Sequence, residues 1–254
     1  MSLTEAQLER YTRQIVLPGI GAEGQKKILN SKVIFMGAGG LSSAALLYLA
    51  ASGVGNIGIL DYDKVTLSNL HRQIIFNTED IGTAKVLAAK ERISKLNPEI
   101  KITIFEDRLN ESNVYELIKD FDLVIDGLDN FSDKFLINDA CIKSNKKLIH
   151  GGVIGYEGQI LTVIPQHSAC LRCYLPKPPE DTHQNCNELG VIASCVGVIS
   201  SLVANEALKL ILDCGNPYTN KILKYNALTG KFYEFNLGGR NKDCPLCGNI
   251  KSVC

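Results

Sequence analysis

Four of the nine cysteines fall into two Cys-x-x-Cys pairs, Cys170 with Cys173 and Cys244 with Cys247. Each pair can bind one edge of a tetrahedral Zn²⁺, and two pairs fill all four positions around the metal. A site without an open position contributes to folding rather than to catalysis. The spacing therefore predicts a structural zinc that ties residues 244–247 to the middle of the chain. A redox dithiol or unrelated cysteines are the alternatives.

A glycine-rich turn from Gly37 to Gly40 indicates a second kind of chemistry. It follows an apolar run typical of a buried strand and precedes a helix-forming segment. The backbone can therefore approach a ligand closely, and the start of the helix can bind phosphate. Asp61 lies about twenty residues further on, where a carboxylate binds ribose hydroxyls. The pattern predicts a nucleotide or dinucleotide site, with a ligand-free turn as the alternative. Ser42 replaces the last glycine of GxGxxG, and we expect this small residue to be tolerated.

Polar residues follow the strand that ends at Asp61. Asn69 and Arg72 lie in the next segment, and Lys85 opens the following helix. An amide, a bidentate guanidinium and an ammonium are suitable partners for phosphate. As isolated residues, each is more often an ordinary surface group.

Two aspartates follow another buried strand, predicted from Phe121 to Ile125. Asp126 and Asp129 would lie at the carboxyl edge of the sheet, where carboxylates can hold Mg²⁺ near the phosphates of a nucleotide. The alternative is that they serve the turn and the N-cap of the next helix, together with Asn130.

Strands and helices alternate through residues 31–150, which predicts an α/β fold with a doubly wound, mostly parallel Rossmann-like sheet. Residues Lys147 to His150 start another strand. From Gly151 onwards, alternating runs predict antiparallel strands that extend the sheet. The polar, proline-rich segment from Pro176 to Gly190 predicts a mobile loop. Cys186 lies in this loop, and the sequence is compatible with either an inert or a reactive thiol.

The composition excludes several classes of protein. Among the 254 residues, 27 lysines and arginines balance 27 aspartates and glutamates, so nothing points to nucleic-acid binding. The apolar segment from Leu41 to Ala51 is too short to span a membrane, and the polar first ten residues lack the pattern of a signal peptide. Cysteines in Cys-x-x-Cys pairs fit a reducing compartment. We therefore expect a cytoplasmic protein.

Short motifs recur along the chain in the order known from one family. They are RYTRQ, GAGGLS, LDYD, SNLHRQ, IGTAK, DGLDN, GYEGQI and YNALTGKF, with the two Cys-x-x-Cys pairs. The chain resembles the ThiF/MoeB/HesA group, bacterial relatives of ubiquitin-activating enzymes, from Arg10 to Gly248.

This resemblance implies an adenylyltransferase that uses ATP and Mg²⁺. Its substrate would be the C-terminal glycine of a ubiquitin-fold sulfur carrier protein ending in Gly-Gly, in thiamin, molybdopterin or another biosynthesis, with release of pyrophosphate. A homodimer and a separate sulfur donor protein are also implied. The chain would be one adenylation domain (1–254), with an N-terminal helical arm (1–30), a nucleotide-binding half (31–150) and a carrier-binding and zinc half (151–254).

The same resemblance implies roles for individual residues. Arg13 would reach from one protomer into the ATP site of the other, Asp129 would bind Mg²⁺, and Cys186 would occupy the place of a loop cysteine that bonds the carrier in some members. The implied catalytic residues are Arg13, Arg72, Lys85, Asp129 and Cys186. The implied ATP site consists of Gly37, Gly39, Gly40, Asp61, Ser68, Asn69, Arg72, Lys85, Asp129 and Asn130.

Two other functions stay open. An NAD(P)-dependent dehydrogenase would use the same glycine turn, but this function does not explain why Arg13, Arg72, Lys85 and Asp129 occur together. A catalytically silent, zinc-stapled binding module for ubiquitin-fold proteins would bind the carrier without releasing pyrophosphate.

Overall fold

The computed structural model describes residues 3–179 and 190–248. The strands are β1 (Lys32–Met36), β2 (Asn56–Leu60), β3 (Lys101–Phe105), β4 (Leu123–Asp126), β5 (Lys147–Ile154), β6 (Glu157–Val163), β7 (Lys221–Asn226) and β8 (Lys231–Asn236). The helices are α1 (Glu5–Ile15), α2 (Gly21–Asn30), α3 (Gly40–Ala51), α4 (Lys85–Leu96), α5 (Val114–Ile118), α6 (Phe131–Lys143), α7 (Leu171–Tyr174) and α8 (Ala193–Leu212).

All eight strands belong to one sheet in the order β3-β2-β1-β4-β5-β6-β7-β8. The pairs from β3 to β5 are parallel, and those from β5 to β8 are antiparallel. The predicted fold class, a mostly parallel Rossmann-like sheet extended by antiparallel strands, is confirmed.

β5 crosses the boundary that we expected at Gly151. The strand predicted to start at Lys147 runs without a break to Ile154. It pairs in parallel with β4 as far as His150 and antiparallel with β6 from Leu148 to Ile154. Because β6 satisfies the backbone throughout, the glycines at 151 and 152 do not interrupt the strand.

Neighbouring residues along the strands face two different cores, as strand geometry requires. Phe35 and Ile149 belong to the core under α2, α3, α4 and α8. Met36 and Leu148 belong to the core on the other face, with α5, α6 and the four clustered cysteines. The nucleotide-type turn and the cysteine pairs are therefore attached to one rigid sheet.

α8 is a core helix, although its length and apolar composition alone would allow it to cross a membrane. Ten of its twenty residues are buried, Cys195 and Glu206 among them. The Glu206 carboxylate accepts hydrogen bonds from Thr162 Oγ1 at 2.6 Å and from the Tyr218 backbone N–H at 2.7 Å. A carboxylate satisfied in this way marks the interior of a folded domain.

The two N-terminal helices, α1 and α2, lie against the rest of the protein. Pro18 and Gly19 separate α1 from α2, and Gly19 has a φ of +87° that favours glycine. Tyr11 is buried, and its hydroxyl accepts a hydrogen bond from Asn97 Nδ2 at 2.9 Å. Arg13, in the last turn of α1, is exposed.

Candidate active site

Two positions of the glycine turn between β1 and α3, Gly37 and Gly40, leave little space for a side chain. Gly37 has a φ of +91°, and a Cβ there would lie 3.3 Å from the carbonyl oxygen of Gly127. A Cβ on Gly40 would lie 2.9 Å from Val196 Cγ1. Glycine is therefore required both for the backbone conformation and for the close approach of β4 and α8.

Ser42 has a larger role than we predicted from its size. It is fully buried, and its hydroxyl donates a hydrogen bond to the carbonyl oxygen of Gly37 at 2.5 Å. The neighbouring Ser43 hydroxyl donates to the carbonyl oxygen of Gly39 at 2.9 Å. These bonds to carbonyl oxygens hold the turn in shape, and the N-terminus of α3 that follows it is a position where backbone N–H groups can bind an anion.

Asp61 lies at the end of β2 and connects to the turn. One carboxylate oxygen accepts the Ala38 N–H at 2.8 Å, and the other accepts the Asp63 N–H at 2.8 Å. Burial raises the pKa of Asp61, while Lys85 and the two backbone N–H groups act against this rise. Each oxygen keeps a further lone pair, so the carboxylate can still accept a hydroxyl hydrogen bond.

Lys85 begins α4, and its ammonium lies between two carboxylates. The Nζ atom is 2.8 Å from Asp63 Oδ2 and 4.0 Å from Asp61 Oδ1. Only 7% of the Lys85 side chain is exposed, whereas 48% of the Asp63 side chain is exposed. Because Asp63 can turn towards solvent, an incoming phosphate can replace it as the partner of this ammonium.

Arg72 lies beside the glycine turn, and Ser68 and Asn69 position it. Its guanidinium donates to the Ser68 carbonyl oxygen at 3.1 Å, and its backbone N–H donates to the Asn69 carbonyl oxygen at 3.1 Å. The next residue, Gln73, is buried, and its Oε1 has no hydrogen-bond partner among the described residues. We had not assigned a role to Gln73, although it lies in the SNLHRQ motif.

The two aspartates after β4 occupy different environments. Asp126 is fully buried and accepts hydrogen bonds from Lys134 Nζ at 3.1 Å, His150 Nδ1 at 2.6 Å and the Leu128 N–H at 2.9 Å. Burial acts to raise its pKa, but Lys134, His150 and the Leu128 N–H outweigh this effect and hold the pKa below its usual range. Asp129 is exposed. Of the two, Asp129 is therefore the carboxylate available to a cation.

Asn130 serves as the N-cap of α6. Its Oδ1 accepts the Asp133 N–H at 2.8 Å, and its Nδ2 donates to Asp133 Oδ2 at 2.9 Å. This is the capping role that we considered as the alternative for the polar residues after β4.

These elements enclose a cavity of about 560 Å³ at the carboxyl ends of the parallel strands. Eight of the predicted site residues line it: Gly37, Gly39, Gly40, Asp61, Arg72, Lys85, Asp129 and Asn130. Gln73, Lys134 and His150 also line it, and the sequence had not led us to any of these three. The signal available for His150 was its position in a predicted strand.

Four predicted residues do not line this cavity. Ser68 and Asn69 lie behind Arg72, and Arg13 is on the exposed side of α1. Cys186 lies outside the described residues, as does most of the segment predicted as a mobile loop. The roles of all four stay predictions.

The four cysteines of the two Cys-x-x-Cys pairs come together on the opposite side of the sheet from α8. Their sulfur atoms all lie within 4.8 Å of one another. Cys170 Sγ is 3.9 Å from Cys173, 3.8 Å from Cys244 and 3.6 Å from Cys247. A tetrahedral Zn²⁺ with bonds of about 2.3 Å would place its sulfurs about 3.8 Å apart, so these distances fit zinc.

The surroundings of the sulfurs also fit a metal-bound thiolate cluster. The Asn241 N–H donates to Cys173 Sγ at 3.4 Å, and the Cys247 N–H donates to Cys244 Sγ at 3.5 Å. Burial raises the pKa of Cys247 to about 12. Three of the four cysteines are buried, and Zn²⁺ deprotonates the thiols that bind it.

Comparison with known proteins agrees with this fold and cavity. The sulfur carrier protein adenylyltransferase of Thermus thermophilus is 39% identical over 255 residues, which cover 98% of this chain and 94% of that protein. The adenylyltransferase and sulfurtransferase MOCS3 of Arabidopsis thaliana is also 39% identical over 98% of this chain, but the chain spans only 54% of that relative.

A solved structure gives the same fold. E. coli MccB in complex with ATP superposes with a TM-score of 0.83 at 25% identity, covering 94% of this chain and 75% of MccB. The sequence model of the ThiF family matches residues 11–246, which include every cavity-lining residue and all but one of the four clustered cysteines. The family predicted from the motifs is thus confirmed: the chain belongs to the ThiF family.

Proposed function

We propose that this protein uses ATP to adenylate the C-terminal carboxylate of a ubiquitin-fold sulfur carrier ending in Gly-Gly, with release of pyrophosphate. The predicted adenylyltransferase class is confirmed by the similarity to the sulfur carrier protein adenylyltransferase of Thermus thermophilus, which extends over 94% of that protein. The observation that carries the proposal is the cavity itself. It joins the glycine turn and Asp61 to the cations Arg72 and Lys85 and to the exposed Asp129.

The residues of this chain can do what such a reaction needs. Attack of a carboxylate on the α-phosphate brings two anions together, so the site must neutralise charge and hold the reacting groups in line. Lys85 and Arg72 supply positive charge, and the turn supplies backbone N–H groups. A carboxylate is already ionised at neutral pH, so no general base is required. Asp61 is positioned to accept the ribose hydroxyls.

Mg²⁺ and Zn²⁺ are parts of the same proposal. The exposed Asp129 carboxylate is available to hold Mg²⁺ at the cavity. That ion would neutralise charge on the phosphates. The cysteine cluster would hold a structural Zn²⁺, with no open position for substrate.

Further features of the proposal concern other chains. Arg13 is exposed at the end of α1, as it must be to reach the ATP site of a second protomer in a homodimer. The carrier, a sulfur donor protein and a covalent role for Cys186 are proposed from the family alone. The division into an arm, a nucleotide half and a carrier half is proposed in the same way, and a cytoplasmic location is proposed from the paired cysteines.

The deciding experiment is ATP–pyrophosphate exchange with the purified protein, alone and with sulfur carriers of the thiamin and molybdopterin pathways. We expect exchange only with a carrier that has a free C-terminal Gly-Gly, and none after its last glycine is removed. At an ATP concentration near the wild-type KM, a Lys85→Met variant should lose most of the exchange with the same carrier. Carrier binding without exchange would favour the silent binding module, and binding of a reduced nicotinamide would favour a dehydrogenase.

A further inference from the structure

One wall of the cavity comes from a helix that is too short to hold itself in place. α7 has only four residues, whereas isolated helices are marginal below about 12–15 residues. Four side chains of α7 and the segment after it line the cavity: Leu171, Tyr174, Leu175 and Pro179. The first three are spaced three and four residues apart, so they share one face of the helix. Contacts with other elements must therefore fix residues 171–179, which we call the α7 wall.

Arg172 holds this wall to α6. Its Nε and Nη2 atoms donate to the two carboxylate oxygens of Asp139, at 2.7 and 2.8 Å. Its Nη1 atom donates to the Pro176 carbonyl oxygen at 3.0 Å, and the guanidinium lies 4.9 Å from the centre of the Phe135 ring. One side chain thus connects α6, α7 and the residues that follow α7. The planar fork of an arginine can form these bonds together, whereas a lysine ammonium cannot.

Two backbone contacts fix where the wall begins. The Leu171 N–H donates to Oδ1 of Asn138, a fully buried residue of α6, at 3.0 Å. The Ala169 N–H donates to Asn220 Oδ1, directly before β7, at 2.7 Å. The wall therefore begins between α6 and the start of β7, beside the antiparallel part of the sheet.

The nucleotide of the proposed reaction does not account for this wall. Its phosphates would bind at the glycine turn after β1, and its ribose would bind at Asp61 after β2. The base is joined to the ribose and stays near β2, whereas β7 lies five strands away in the sheet. At about 4.8 Å per strand, this separation is roughly 24 Å. The wall also presents apolar side chains and one tyrosine, which offer no charge to a phosphate.

The other reactant suits the wall, so the inference rests on the proposed function. A cavity of about 560 Å³ cannot admit a folded carrier, and only its C-terminal segment can enter to bring the carboxylate to the α-phosphate. Apolar side chains can bind such a segment by removing its apolar surface from water. We propose that Arg172 is a positioning residue for the carrier. Through Asp139 and Pro176 it holds the α7 wall where the wall contacts the C-terminal segment of the carrier.

Exchange kinetics test the role towards the carrier. Arg172→Met removes all three bonds and should raise the KM for the carrier that supports ATP–pyrophosphate exchange by roughly tenfold, the value of one charge-assisted hydrogen bond. The KM for ATP should not change. Asp139→Asn should show a similar loss, and the double variant should lose little more than either single variant, because both remove one interaction. Arg92→Met, at an exposed arginine of α4, is the matched control and should behave as wild type.

A spectroscopic measurement tests the position of the wall without any substrate. The chain contains no tryptophan, so Tyr174→Trp places a single fluorescent reporter in the wall. In this background, Arg172→Met should shift the emission to longer wavelength and increase quenching by acrylamide, while the circular dichroism spectrum stays the same. Arg172→Lys keeps the charge but not the fork, so it should give a smaller change in the same direction. This milder variant also serves if Arg172→Met does not fold.

The two measurements separate the outcomes. Unchanged fluorescence in the Arg172 variants would overturn the positioning role. A more exposed reporter with an unchanged KM for the carrier, or with an equal rise in the KM for ATP, would overturn the assignment of the wall to the carrier. Wild-type protein that exchanges with no carrier would overturn the proposed function, whereas the fluorescence would still decide whether Arg172 holds the wall.

Discussion

The buried Asp126 should stabilise the protein through its charge, and Asp126→Asn tests this directly. The substitution keeps the shape of the side chain but leaves the Lys134 ammonium, 3.1 Å away, without a counterion. Removing one partner of a buried ion pair costs about 3–5 kcal/mol. Because 15% of the Lys134 side chain remains exposed to water, we take the lower end, about 3 kcal/mol. For a chain of this size, that corresponds to a decrease in Tm of roughly 6–12 °C.

The pH dependence of this effect has a definite sign. The pKa of Asp126 is held below its usual range in the folded state. Its contribution is therefore fully present above the unfolded-state pKa and is lost as the pH falls towards the lower folded value. The difference in Tm between wild type and variant should be constant from about pH 7 to about pH 5 and should shrink below about pH 4.

Thermal unfolding followed by circular dichroism measures both effects. Asp120→Asn is the matched control, because it removes an exposed carboxylate from the turn before β4. The control should unfold within about 1–2 °C of wild type. If the Tm of Asp126→Asn also lay within that margin of the wild-type Tm, the charge of Asp126 in its cluster with Lys134 and His150 would not stabilise the protein.

Three more substitutions test the metal and nucleotide sites. Cys170→Ser should lose the expected zinc, about one ion per chain, and lower Tm by roughly 10 °C or more, whereas Cys214→Ser, at an exposed cysteine, should keep both. Lys85→Met removes a charged partner of the phosphates and should raise the KM for ATP roughly ten- to hundredfold in steady-state exchange kinetics. Lys90→Met, on the exposed side of the same helix, should leave the KM for ATP unchanged. Asp129→Asn should raise the Mg²⁺ concentration needed for half-maximal exchange by roughly tenfold or more, and an unchanged Mg²⁺ titration would refute its metal role.

The order of strands and helices was predictable because it follows from the periodicity of apolar residues along the sequence. Buried strands and helix-forming segments alternate, and parallel strands place their carboxyl ends at one edge. Lys85 and Arg72 could therefore be expected at one site before any distance was known. The clustering of the four cysteines was predictable for a different reason, since two Cys-x-x-Cys pairs in one chain are typical of a shared tetrahedral metal site.

The polar residues that complete the cavity could not be predicted from the sequence in the same way. His150 becomes a site residue because the parallel register places it directly opposite Asp126, and register is a property of two strands rather than of either one. Lys134 belongs to the site because α6 packs beside β5 and brings the Lys134 ammonium to the Gly151 carbonyl oxygen. Such contacts join residues distant in sequence, and no local pattern encodes them.

Ser42 shows why a departure from a motif cannot be judged at its own position. In the full pattern a glycine there allows the helix to pack closely against the neighbouring strand. Here the contact is preserved from the other side, because a Cβ on Gly127 would lie 2.3 Å from the Ser42 hydroxyl oxygen. The same hydroxyl then donates to the Gly37 carbonyl oxygen and closes the turn. Gly127, after β4, thus provides the space that a glycine would otherwise provide in α3. We expected Ser42 to be tolerated because it is small, and the hydrogen bond that it gains explains why it also fits well.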